Sequence, residues 1–333
     1  MDLTTAYLGM RLRNPLIASA GPLTSTADGV RRLAEAGIGA VVLPSLFEEQ
    51  LRHQADRDSF LASAGMDSFP AGVSYVPAAT SDPGPHRYLH LIEEAVAAAG
   101  PGVPVIASLN GVSTGGWTDY ATAMQEAGAA AIELNIYYLP GDPLIPARDA
   151  ERRCTEVLIS VKAAVRIPVA VKIGPYFSSP GEMATLLDHA GADGLVLFNR
   201  FMQTDIDPES FTVSLGFRLS SPGEASLPRA WISLLRGKVG CSLAATTGVE
   251  TAADVAAYLL AGADVVMTTS ALLRHGPGYA ADLLDGLAGW MHRKGFATVA
   301  EPRGLLSAEA GLAGPRRTGY LSAIEQATHA FSS

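Results

Sequence analysis

Cysteine is almost absent. The chain of 333 residues has two, Cys154 and Cys241. That excludes a disulfide scaffold, a cysteine-held iron–sulfur cluster and a Cys-type zinc site, and it suits a reducing compartment. Lysine is nearly as scarce, with four residues. Lysine and arginine together number 24 against 33 acids, a formal net charge of −9. Such a balance argues against nucleic acid or an anionic membrane as a partner. No metal-ligand spacing, P-loop or supported Ser-His-Asp order occurs, so no metal is expected. The uncharged stretch 95–118 is broken repeatedly by glycine and proline, so it does not read as a membrane span. Met1–Met10 lacks a basic region followed by an apolar run, so no signal peptide is expected. A soluble, cytoplasmic protein is the expectation. Apolar residues are abundant at 48%, enough for a large core. The length allows two domains, or one α/β barrel of about 250 residues with insertions.

One phrase recurs four times: Ala-Gly, a few small residues, then an apolar run. The copies begin at Ala36-Gly37, Ala127-Gly128, Ala190-Gly191 and Ala261-Gly262. Each follows a helix-like stretch and reads as a helix ending at a glycine, a tight turn and a buried parallel strand. Further apolar runs at Pro15–Ala20, Val103–Leu109, Ile167–Ile173 and Cys241–Ala245 bring the expected strands to eight. Pro104 and Pro168 fall at strand starts, where a missing N–H costs least. Eight alternating units predict a (β/α)8 TIM barrel, with a doubly wound sheet as the alternative. Two connections are longer than the barrel needs: Phe47–Gly102 after strand 2 and Phe201–Pro228 after strand 6. Both fall on the C-terminal face, where barrel active sites are built. The expected division is a barrel over 1–304 and a C-terminal extension over 305–333. That tail could pack across the barrel, mediate association or be loose.

Strand ends are where function is sought in this fold. Lys172, in Val169-Ala170-Val171-Lys172-Ile173, is the sharpest signal, because a lysine inside an apolar strand needs a partner. It reads as an ion pair with Glu133 one strand away, as a Schiff-base lysine, or as a cation that stabilises developing negative charge. Strands 7 and 8 end in Thr247-Gly248 and Thr269-Ser270 next to helix starts, one with Thr251 as its N-cap. Such a corner reads as a phosphate site or as plain caps and turns. Asn110, Asn135 and Asn199 end strands 3, 4 and 6 and suit the edge of a polar heterocycle. His53, His86 and Arg200 lie on loops that could meet a substrate carboxylate.

These residues resemble the FMN-dependent dihydroorotate dehydrogenases of class 1 type, a family of TIM barrels, over about residues 2–304. The resemblance rests on Asn14–Gly21, Glu133-Leu134-Asn135, Val171–Phe177, Thr246–Thr251 and Leu260–Leu272. It implies FMN on the C-terminal face of the barrel. Thr247 with Gly248 and Thr269 with Ser270 would hold the phosphate, and Gly223 matches a family glycine near it. Ala20, Gly21 and Ser45 would line the flavin. Lys172 would offset the negative charge of the reduced ring, and Asn110 and Asn135 would bond ring or substrate. Asn199 falls where the family contacts substrate. A homodimer, a role in pyrimidine biosynthesis, and a separate electron acceptor or donor are also implied.

The substrate side departs from the family. Its catalytic base, a Cys or Ser after strand 4, is Tyr138 here, and its second substrate asparagine is Pro140. The strand-2 lysine is Leu43, the substrate loop has no counterpart near Ala62–Met66, and the strand-7 glycine pair is Thr247-Gly248. A tyrosine with an ordinary pKa near 10 is a poor base but a competent proton donor. Tyr138 or Tyr137 is therefore expected to give or take a proton opposite flavin N5; alternatively the two rings simply wall the pocket. The expected function is hydride transfer between flavin N5 and a small polar CH–CH or C=C substrate. The alternatives are a non-redox phosphate-binding aldolase or synthase using Lys172 as a Schiff base, and a flavoprotein with little activity of its own.

Overall fold

A computed structural model of the chain describes residues 1–50, 85–111, 118–137, 144–200, 203–216, 218–308 and 317–331. The four repeat glycines share one conformation: φ is 95° at Gly37, 98° at Gly128, 96° at Gly191 and 120° at Gly262. A side chain is disfavoured there, so each glycine can end its helix and turn the chain back toward the next strand. The strands so launched are β4 (Ala40–Phe47), β6 (Ala131–Asn135), β8 (Gly194–Leu197) and β12 (Val265–Thr268). Between them run β3 (Leu16–Ala18), β5 (Val105–Asn110), β7 (Val169–Ile173) and β11 (Ser242–Ala245). All eight are parallel and close in the order β11-β12-β3-β4-β5-β6-β7-β8. The fold is a (β/α)8 TIM barrel, and closure excludes the doubly wound sheet.

Helices surround the strands: α1 (Ala27–Glu35), α2 (Pro85–Ala99), α3 (Thr118–Glu126), α4 (Ala147–Ala164), α5 (Pro180–His189), α6 (Ser226–Leu235), α7 (Ala252–Ala261), α8 (Ser270–His275) and α9 (Tyr279–Lys294). Their apolar faces and the outward residues of the strands form the larger core. No helix among the described residues is long and apolar enough to cross a membrane.

The barrel interior is a second core, closed by a hairpin not expected from the sequence. β1 (Thr5–Tyr7) and β2 (Met10–Leu12) pair antiparallel and bring Tyr7, Leu8 and Leu12 against Ile17, Val42 and Ile106. Leu8 and Gly9 have φ of 52° and 74°. Both central residues at positive φ define the primed turn that suits two-residue hairpins, usually marked by Asn-Gly rather than Leu-Gly. Gly194 makes room for this plug: a Cβ there would lie 2.6 Å from Leu8 Cδ2.

Two repeats end in aspartate, and each uses it in the same way. Asp193 accepts the Val169 N–H at 2.7 Å and the Lys162 ammonium at 2.6 Å. Asp264 accepts the Leu243 N–H at 2.8 Å and the guanidinium groups of Arg236 and Arg303, each at 3.0 Å. Each carboxylate thus ties a strand entry to basic side chains outside the barrel. Asp264→Ala would leave a buried N–H unpaired and two guanidinium groups without their carboxylate, at a cost of about 2–4 kcal/mol. Urea unfolding should show that loss; a midpoint equal to wild type would remove the carboxylate from this role.

Two connections carry extra structure on the C-terminal face. The one after strand 2 contains α2, while 51–84 lie outside the described residues. The one after strand 6 contains a second hairpin, β9 (Gln203–Asp207) with β10 (Thr212–Gly216), and a short turn of helix at Pro222–Ala225. Beyond the barrel, Leu306 and Ala308 donate backbone hydrogen bonds to Leu260 and Ser233. Helix α10 (Arg317–Phe331) follows, with Tyr320, Leu321 and Ile324 exposed.

Candidate functional site

Parallel register brings the last residues of the strands to one rim. Asn110 pairs with Asn135 and Asn135 with Lys172. On β4 the register shifts between Val42 and Ser45. The extra residue falls at Leu43-Pro44, where a proline is tolerated because a bulge asks for no ladder N–H. Beyond it, Ser45 Oγ lies 2.8 Å from Ser108 Oγ.

A cavity of about 150 Å³ opens on this rim, lined by Ala20, Lys172, Asn199, Thr247, Gly248, Thr269 and Ser270 among others. These seven residues, singled out from the sequence, are brought together. Gly21, Ser45, Asn110, Asn135, Gly223 and Tyr137 do not line it, although Asn135 holds one of its walls by accepting the Asn199 amide N–H at 2.8 Å. Tyr137 follows β6, with its backbone N–H donated to the Asn135 carbonyl at 3.2 Å. Tyr138, Pro140, His53 and the Ala62–Met66 segment lie outside the described residues. His86 is exposed at the start of α2 and away from the cavity, whereas Arg200 lines it.

At one end of the cavity, hydrogen-bond donors converge. Gly248 N–H donates to Ser220 Oγ at 3.3 Å. Ser220 donates both its N–H and its hydroxyl to Ser270 Oγ, each at 3.0 Å. Gly248 has φ of 70°, and a Cβ there would lie 2.7 Å from Ala225 N and 2.9 Å from Ser221 O. Only a glycine lets the backbone of this turn approach the neighbouring loop so closely. Thr247 is also at positive φ, 81°, unusual for a β-branched residue. Tyr258 braces it, donating its hydroxyl to the carbonyls of Thr247 at 2.6 Å and Thr246 at 3.2 Å. Thr251 caps α7 in a reciprocal box with Asp254. Thr269 spends its hydroxyl on the Ser19 carbonyl at 2.7 Å. Its methyl would lie 2.6 Å from a Cβ at Gly21, so that glycine is fixed by packing.

Nothing in the sequence marked Ser220 as part of this corner. It ends a long excursion, and only the tertiary structure sets it beside Gly248 and Ser270. Behind it, Arg274 donates to the Ser220 carbonyl at 2.7 Å and pairs with Glu250, which also meets His275 Nε2 at 2.8 Å.

Lys172 lines the same cavity. Its ammonium lies 3.4 Å from Glu133 Oε1, with side-chain exposures of 11% and 2%. The ion pair anticipated as one reading of Lys172 is therefore present, and the same lysine faces the cavity. Arg200 pairs with Glu224 at 2.9 Å. Burial would raise the Glu224 carboxyl, but the Ser221 N–H and the Arg200 guanidinium outweigh it and hold the group below its usual range. Neither cysteine lines the cavity. Burial pushes the Cys154 thiol up to about 12 and also raises that of Cys241, so neither supplies a thiolate at neutral pH.

Comparison with known proteins adds a second line of observation. A family model described as dihydroorotate dehydrogenase matches residues 2–291. The chain is 27% identical, over 90% of its length and 95% of the relative's, to a putative dihydroorotate dehydrogenase A (fumarate) of Aeropyrum pernix. It is 28% identical, over 91% and 98%, to the catalytic subunit of dihydroorotate dehydrogenase B (NAD(+)) of Methanothermobacter thermautotrophicus. A third relative, at 23% identity over 91% and 76%, is the NAD-dependent dihydropyrimidine dehydrogenase subunit PreA of Escherichia coli.

Proposed function

The chain belongs to the dihydroorotate dehydrogenase family and is an oxidoreductase of the type acting on CH–CH bonds, and from that premise we propose that it binds FMN and acts on a small polar CH–CH or C=C substrate. One observation carries the reading. A single cavity joins a corner of converging N–H and hydroxyl donors to a largely buried lysine. The donor set suits a phosphate, and the Gly248 cradle allows the backbone approach that phosphate binding uses. Gly248, Thr247, Ser270 and the Thr269 backbone would hold the phosphate, and Gly223 would stand near it. The ring would lie toward Lys172, with Ala20, Gly21, Ser45 and Asn110 around it. Bound FMN would supply a hydride acceptor or donor at N5.

The chain's own residues would do the rest. Lys172 presents a cation where negative charge develops. Asn135 and Asn199, already bonded to each other, would orient the substrate through the amide groups they leave free. Tyr137 or Tyr138 would give or take the proton. A separate acceptor or donor would exchange electrons with the site, since two distant cysteines provide no relay. We also propose a homodimer, a cytoplasmic setting, and a barrel over 1–304 with a C-terminal extension.

The Schiff-base alternative fits less well. It needs a neutral amine, and Lys172 is held against a carboxylate. Purified protein is expected to be yellow, with absorbance near 450 nm and FMN released on denaturation. A colourless protein that takes up no FMN sinks the proposal. Anaerobic dihydroorotate is expected to reduce the flavin slowly or not at all, given Leu43, Tyr138 and Pro140. Rapid bleaching would show dihydroorotate itself to be the substrate.

A further inference from the structure

Glu133 is an expensive residue where it stands. It pairs in register with Ser108 on one side and Ala170 on the other, two positions before the Asn135–Lys172 pair. It is therefore one inward-facing step deeper in the barrel than the lysine. Its side chain is 2% exposed. Oε1 has the Lys172 contact at 3.4 Å, long for a charge-assisted bond, and Oε2 is buried with no hydrogen-bond partner among the described residues. A buried carboxylate held by one long contact adds little to stability compared with a neutral residue. Its electrostatic reach is a different matter. A fixed negative charge directly behind Lys172, shielded from water, subtracts from the field the ammonium sends into the cavity. Tyr7 offers no compensation from the plug side. Burial first and the Glu133 charge second keep its hydroxyl protonated and uncharged.

We propose that Glu133 is a positioning residue for the flavin. It anchors the Lys172 ammonium and sets how much positive field reaches the bound ring, so that the cofactor's reduction potential stays below what the lysine alone would give. The inference rests on the FMN reading above and assigns a role to a residue outside the cavity wall.

The test is the midpoint potential of bound FMN, measured anaerobically against reference dyes. Five proteins are compared: wild type, Glu133→Gln, Glu133→Asp, Lys172→Met and the Lys172→Met/Glu133→Gln double variant. Glu133→Gln is expected to favour the reduced over the oxidised cofactor by about tenfold or more, an upward shift of about 30 mV for a two-electron couple. Glu133→Asp, which keeps the charge, should stay near wild type. Lys172→Met should shift the potential down, and adding Glu133→Gln to it should shift it back up. This last pair keeps the question answerable if Glu133→Gln alone does not fold. Equal potentials for wild type and Glu133→Gln, or for Lys172→Met and the double variant, overturn the proposal while leaving the FMN reading intact. A wild-type protein that takes up no FMN overturns the reading itself and this inference with it.

Discussion

Gly248→Val is expected to give a folded but colourless protein whose FMN affinity falls at least about 100-fold, or roughly 3 kcal/mol. Two independent effects add. The position has φ of 70°, where a β-branched residue costs about 1–3 kcal/mol. Its first side-chain atom would lie 2.7 Å from Ala225 N and 2.9 Å from Ser221 O, which are backbone atoms and cannot rotate away. The turn must therefore retreat from the Ser221–Ala225 loop, and the Gly248 N–H leaves the donor corner with it. Gly278→Val, at an exposed glycine just before α9 and away from the cavity, is the control. A Cβ there meets nothing within 4 Å, so FMN uptake is expected to survive. Quenching of FMN fluorescence on titration reads both. Wild-type affinity in Gly248→Val would move the phosphate away from this corner, and loss of binding in Gly278→Val would show that the effect is not specific to it.

The contrast with Thr247 shows how backbone demand and residue type part company. At φ of 81° this position also favours glycine, yet it holds a β-branched residue. The Tyr258 hydroxyl, bonded to two successive carbonyls, gives the turn the external support that such a conformation requires.

The barrel was legible in the sequence for a physical reason. Helix-ending glycines at positive φ are scarce in kind and strict in position, so four Ala-Gly copies announce four helix-to-strand turns. Lys172 was legible because an ammonium in an apolar strand needs a partner, and Glu133 lay on the adjacent strand. The β1–β2 plug was not legible, because its primed turn is built from Leu8-Gly9 and its strands are three residues each. The β4 bulge was hidden as well, since only pairing with β5 shows that Pro44 is surplus. The phosphate-like corner was half legible: Thr247-Gly248 and Thr269-Ser270 end strands, where position alone points to a site. Ser220 arrives from a distant loop, and its place depends on tertiary packing that local pattern does not encode.

Lys172→Met is expected to destabilise the fold by about 3–5 kcal/mol, the usual result of removing one member of a buried pair. Glu133 would be left 2% exposed without its ammonium partner, and one of its oxygens already lacks a hydrogen-bond partner among the described residues. On a chain of this length the loss corresponds to a fall in Tm of about 4–7 °C. Glu133→Gln should cost less, because Lys172 faces the cavity, where its ammonium can be hydrated. The double variant Lys172→Met/Glu133→Gln should regain most of the stability lost by Lys172→Met, since no bare charge then remains in the barrel. Scanning calorimetry on the three variants decides. A Lys172→Met protein as stable as wild type would show that the pair contributes nothing, and a double variant no better than Lys172→Met would place the cost in packing rather than charge. The expected pattern, severe when broken singly and mild when removed together, marks an ion pair whose stabilising contribution is small. Its retention beside the cavity is then explained by the field it sets there, not by the stability of the barrel.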